Sequence, residues 1–157
     1  MGEVDAATTP VGRATPGGLR SATGVAGLTL AGGIGWLRGT NGLSCDNLLA
    51  ADVVTANGTL IHANEKENPD LLWALKGGGG NFGIVVNFEF RLHPIEAETM
   101  FCAPLYPEEH ANGILPKWRD YLATAPDEVG GFAEFSKTPT VPAFPKHMWG
   151  RREIELA

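Results

Sequence analysis

The sequence predicts an α+β chain, and three observations predict it. Asn57-Gly58 lies between the apolar runs Leu48–Thr55 and Thr59–Ala63, the strongest short signal for an antiparallel hairpin. Asn68-Pro69-Asp70 has the order of a helix start: Asn as cap, Pro at the first helical position, Asp in the first turn. Ile84, Val86, Phe88, Phe90 and Leu92 alternate with Val85, Asn87, Glu89 and Arg91, the period of a strand with one apolar face. At 157 residues, 43% of them hydrophobic, the chain fits one domain, or a domain and part of another.

Residues 3–9 are expected to be the end of a helix that Pro10 stops, with no start signal before it. Ala14 to Gly18 contains a Pro-Gly pair and is expected to turn. Thr23 to Gly27 is a tight loop leading into a helical turn at Leu28 to Leu30. The hairpin follows. In the helix after Asn68, Leu71, Leu72 and Leu75 supply an apolar side, Trp73 is expected in the core, and Gly77 closes the end. The alternating strand ends at Pro94, and a domain boundary is placed at 94–97, separating residues 1–95 from 96–157. Beyond it, Thr99 to Leu105 and Val129 to Ser136 are expected strands. Glu108 to Ala123 is a helix with Ile114, Trp118 and Leu122 at i, i+4 spacing, weakened by Gly113 and Pro116. Residues 139–145 are expected to be irregular, and the tail KHMWGRREIELA shows no pairing pattern.

Composition excludes several classes. A net charge of −6 argues against a nucleic-acid partner, which needs a basic face. No apolar run approaches the ~20 residues of a membrane helix. Two cysteines make no disulfide framework, and Met-Gly-Glu-Val-Asp is not a signal peptide, so a cytoplasmic setting is the simplest expectation. His62, His93, His110 and His147 lack ligand spacing, so no metal site is expected. Gly78, Gly80 and Gly83 spell G-x-G-x-x-G, but after a helix and before a strand, the reverse of a dinucleotide fingerprint. Cys45 is expected to be a small buried side chain, with Asp46 and Asn47 bracing a turn.

The functional signal is glycine. From Gly17 to Gly42, nine of 26 residues are glycine and none is acidic. Glycine costs backbone entropy and brings no side chain to a core. Its density here, with Leu19, Val25, Leu28, Leu30, Ile34 and Trp36 interspersed, predicts a backbone cradle rather than a linker. Such loops aim several N–H groups one way, as anion-binding nests do.

Three stretches together resemble the flavin-linked oxidases of the vanillyl-alcohol oxidase type, in their berberine-bridge-enzyme-like branch. They are ATPGGLRSATGVAGLTLAGGIGWLRGTNGL (Ala14–Leu43), CDNLLAADVVTANGTLIHAN (Cys45–Asn64) and ENPDLLWALKGGGGNFGIVVNFEFRLHPI (Glu67–Ile95). The resemblance implies the second half of a PCMH-type FAD-binding domain, followed by the start of an α+β substrate domain, both incomplete. FAD is the implied cofactor. Thr23, Gly24, Val25, Gly27, Leu28, Gly32, Gly33 and Gly35 would face its pyrophosphate and ring, and Gly83, Ile84 and Val85 its adenine end. The chemistry agrees: a pyrophosphate wants unobstructed backbone donors, and a flavin ring wants apolar walls. Arg20 stands near the position where some members attach FAD through cysteine, so no cysteinyl link is expected. The family's upstream histidine loop and its C-terminal catalytic segment have no counterpart, and the tail after Pro145 does not follow the family. No catalytic residue is assigned. The implied function is a fragment of an oxidoreductase moving hydride from an alcohol, sugar or amine to FAD. The alternative is a truncated, inactive remnant or interaction module, self-associating through uncovered surface.

Overall fold

In the computed structural model, which describes residues 1–96 and 99–157, the chain starts with helix α1 (Gly2–Thr8). Pro10 does not stop it outright. It sits in a 3-10 turn over Thr9–Val11, where a missing N–H costs nothing, and Gly12 at φ 66° ends that turn. Strand β1 (Arg13–Ala14) follows. The expected turn at 14–18 is not formed: Ala14 ends β1, and the residues after it lie against Gly35, held by packing that the Pro-Gly pair does not announce. Helix α2 (Val25–Leu30) begins three residues earlier than expected. A short helix α3 (Arg38–Asn41), which the glycine-rich sequence hides, and a 3-10 turn at Cys45–Asn47 lead to the hairpin.

Strands β2 (Leu48–Val54) and β3 (Leu60–Asn64) pair antiparallel, with Gly58 at φ 80° in the connection. Helix α4 (Pro69–Leu75) follows, with Asn68 left-handed at its start. Leu72 and Leu75 enter the core beside Leu48, Ala51, Val53 and Ala63. Each such leucine stabilises by roughly 1.5–3 kcal/mol. Trp73 is no core residue: it is 79% exposed on the outer side of α4.

Strand β4 (Ile84–Phe90) joins the other edge of β2, so the sheet order is β3-β2-β4. Its apolar face is not the expected one throughout. Val53 pairs with Val85, but Asp52 pairs with Asn87, leaving Val86 as an extra residue. That bulge inverts the alternation. Val85, Phe88 and Phe90 pack on the core, while Ile84 and Val86 are exposed. Strand β4 ends before Pro94, and His93–Pro94 form a separate strand β5 paired with β1.

The chain divides into two units, residues 1–98 and 99–157. The expected boundary at 94–97 falls partly on residue 97, outside the described residues. In the second unit, strand β6 (Leu105–Pro107) is far shorter than the expected 99–105 strand and starts where that one was to end. Helix α5 (Ala111–Leu122) is preceded by a 3-10 turn and carries exposed Pro116. Strand β7 (Ala133–Lys137) begins four residues late. The tail forms strand β8 (Arg152–Leu156), central in the order β6-β8-β7. Ile154 and Leu156 of β8 build this unit's core with Ala111, flanked by Tyr106, Ile114, Leu115 and Trp118.

Candidate functional site

The expected cradle is α2 with its flanking loops. Gly24 caps α2 in extended conformation, and no side chain bonds the helix start. Among the described residues, no hydrogen bond to the N–H groups of Val25, Ala26 or Gly27 is found, as befits a first turn, so three donors share one direction. Residues 6–45 carry Arg13, Arg20 and Arg38 and no acid, in a chain of net charge −6. Thr29 on α2 and Thr15 before Gly17 have buried hydroxyls without a partner.

The glycines divide by what a Cβ would meet. At Gly24, Gly27 and Gly32 it would meet open space, so these positions leave room for something outside the fold. At Gly33 it would strike the Ser44 side chain, and at Gly35 it would overlap the Gly17 carbonyl oxygen. Gly35 is glycine because two backbones cross there. The Gly32 and Gly33 carbonyls accept from Cys45 and Ser44 N–H at 2.9 Å each. Val25 and Leu28 are half-buried, and Leu28 packs over Gly33. Thr23 stands in the bend before Gly24, its backbone carbonyl accepting from the amino terminus at 2.7 Å. The open glycines and free donors fit a phosphate-linked ligand; the buried ones answer to the protein.

Gly79, four residues before Gly83, donates its N–H to the Leu30 carbonyl at 2.8 Å, and Leu30 and Val85 pack on the same core cluster. Gly83, at φ 141°, could not carry a side chain, because a Cβ would lie 2.6 Å from the Val54 carbonyl. Ile84 is 72% exposed and Val85 turns inward. The second unit has a concavity of its own, lined by Pro107, Glu108, Glu109, Arg151 and Arg152.

One polar constellation escapes the sequence. On the outer face of the first sheet, Asp52 Oδ1 lies 2.6 Å from His62 Nδ1, and Asn87 Nδ2 donates to Asp52 Oδ2 at 3.1 Å. The histidine holds the Asp52 carboxyl below its ordinary range, helped by Asn87, and the carboxylate holds His62 above its own. Elsewhere, Asn47 Nδ2 donates to the Asn41 and Leu43 carbonyls, and its Oδ1 lies 2.6 Å from His93 Nε2. Asp46 accepts from Leu43 N–H, so both residues brace the turn as expected. Burial, then Asp46 beside it, pushes the Cys45 thiol up, which suits packing rather than attack. Among the described residues no group of three potential ligands could hold a metal, and no helix is long and apolar enough to cross a membrane.

Residues 1–64 match the FAD binding domain family. Xylooligosaccharide oxidase of Thermothelomyces thermophilus is 51% identical over 106 residues, 68% of this chain and 21% of the relative. The fold is similar to that of 6-hydroxy-D-nicotine oxidase from Arthrobacter nicotinovorans, with TM-score 0.83 and 27% identity over 99% of this chain and 33% of that one. It is also similar to that of BBE-like 1 of Physcomitrella patens, with TM-score 0.78 and 26% identity over 99% and 32%. The likeness in fold therefore runs through the tail after Pro145, where sequence resemblance had ended. The chain spans between about a fifth and a third of the length of these relatives.

Proposed function

The chain is related to the FAD-linked oxidases of the vanillyl-alcohol oxidase type, and from that premise we propose that it carries part of the FAD site of an oxidoreductase. The carrying observation is the α2 start: three uncapped N–H groups and two glycines, Gly24 and Gly27, open to the outside, in a forty-residue acid-free segment. The N–H groups of Val25, Ala26 and Gly27, with Gly24 as the cap before them, would hold the pyrophosphate through charge-assisted bonds to an anion. Thr23, Leu28, Gly32, Gly33 and Gly35 would shape the wall beside the ring, and Gly83, Ile84 and Val85 the adenine end. FAD, when bound, supplies hydride acceptance from an alcohol, sugar or amine and onward transfer to dioxygen or another acceptor. The protein's part is binding, orientation and exclusion of water. A reducing, cytoplasmic setting belongs to the same reading, with Cys45 buried and Cys102 an exposed free thiol.

The test is flavin absorbance of the purified chain, and of the chain extended by its flanking coding sequence, after loading with FAD. Saturable yellow colour that falls in Gly27→Ala supports the site. A colourless extended protein that refuses FAD removes it.

A second reading is favoured by exposed Leu60, Ile84 and Val86 on the first unit's sheet strands. In it the chain alone is an interaction module that self-associates and does not catalyse. Sedimentation decides: a monomer that binds FAD and turns over substrate defeats it.

A further inference from the structure

The outer face of the first sheet carries an ordered polar row. Asp52 is central, directly opposite His62 on β3 and Asn87 on β4. Each carboxylate oxygen serves one neighbour, at 2.6 Å and 3.1 Å, so a single side chain ties three strands. Asn87 follows the bulge residue Val86, and the next pair along is Val53 with Val85. The Asn87–Asp52 bond therefore stands where the register of β4 is decided. A slip of one residue would turn Val85 and Phe88 outward and bring Ile84 and Val86 in.

We propose that the His62–Asp52–Asn87 row is a proton-operated clip that holds the bulged register of β4. The charged groups facing His62 are Asp52 from β2, Glu89 from β4 and Glu67 from the loop before α4. All three are acids, so every neighbour favours the protonated ring. A protonated His62 gives Asp52 a charge-assisted bond, which orients the carboxylate for Asn87. Loss of the proton leaves at best a neutral N–H, and the hold on β4 weakens. The clip stands on the sheet alone; its bearing on a cofactor, through Gly83–Val85, rests on the flavin reading.

The experiment is NMR of the full chain, following the His62 ring and the backbone amides of Val85, Val86 and Asn87 from about pH 5 to about pH 8.5. In the wild-type chain the amides are expected to follow the ring, with one midpoint above the ordinary histidine value of about 6.5. Protection of these amides from exchange, corrected for intrinsic rate, falls across that midpoint by up to about tenfold per unit of His62 shift. In Asn87→Ala the ring still titrates and the β4 amides no longer follow. In His62→Gln the amides are flat. Amides that ignore the ring in the wild-type chain, or follow it unchanged in Asn87→Ala, overturn the clip. FAD affinity measured over the same range tests the cofactor link separately: an affinity indifferent to the midpoint breaks that link only.

Discussion

At the residue scale, two glycines of similar appearance carry opposite expectations. Gly27 lies inside α2 with open space at its Cβ, so Gly27→Ala should stabilise the fold by about 0.5–1 kcal/mol through helix propensity. The same methyl would stand in the space assigned to the pyrophosphate, so FAD affinity should fall while the melting temperature rises. Gly35→Ala forces a methyl into the Gly17 carbonyl, and a loss of about 3 kcal/mol or more is expected in denaturant melts. The Asp52–His62 pair gives a pH signature. Asp52 is lowered by the His62 bond first and Asn87 second, so its contribution is present above about pH 4 and lost as pH falls through its folded value. His62 is raised by Asp52, so its contribution is complete below about pH 6.5 and lost as pH rises through its folded value. Stability from the pair should be greatest between those limits, and thermal melts of Asp52→Asn should be flatter on both sides.

At the element scale, α4 shows how a helix's apolar residues are divided by packing. Trp73 and Leu75 both lie in the run Leu71–Leu75, yet only Leu75 reaches the core. Trp73→Ala should change stability by no more than about 0.5 kcal/mol, and Leu75→Ala should cost about 2–5 kcal/mol, both read from urea melts. In β4 the alternation is legible but the bulge is not, because an extra residue is decided by the partner strand. The hairpin behaves alike. Asn57-Gly58 announces the turn, but the connection closes through Thr55, with Gly58 N–H donating to its carbonyl and Thr55 N–H to Thr59. That closure pairs Val54 with Leu60 and so Asp52 with His62. The polar row was thus hidden behind a register that the turn signal leaves open.

At the scale of the whole molecule, each unit has a core made of its own residues. Ile154 is fully buried in the second. Ile154→Ala should therefore cost about 2–5 kcal/mol there and leave exchange protection of β2 and β4 amides unchanged. A uniform loss across both units would count against separate cores. The tail that holds Ile154 had no legible partner in sequence. Its alternation is short and interrupted by acids, and Glu153 is buried beside Arg151 at 3.9 Å, contrary to what a charged residue suggests.

The chain's own order of residues determined the α+β class, the hairpin, the helix after Asn68 and the glycine-rich stretches akin to those of flavin oxidases. These are local: turn chemistry, caps and periodicity act over a few neighbours, and a sequence displays neighbours. Tertiary structure decided which glycines meet protein and which meet open space, which face of β4 turns inward, and that the tail becomes a central strand. Those outcomes depend on backbone brought alongside from tens of residues away, and no local pattern encodes the partner against which a side chain must fit.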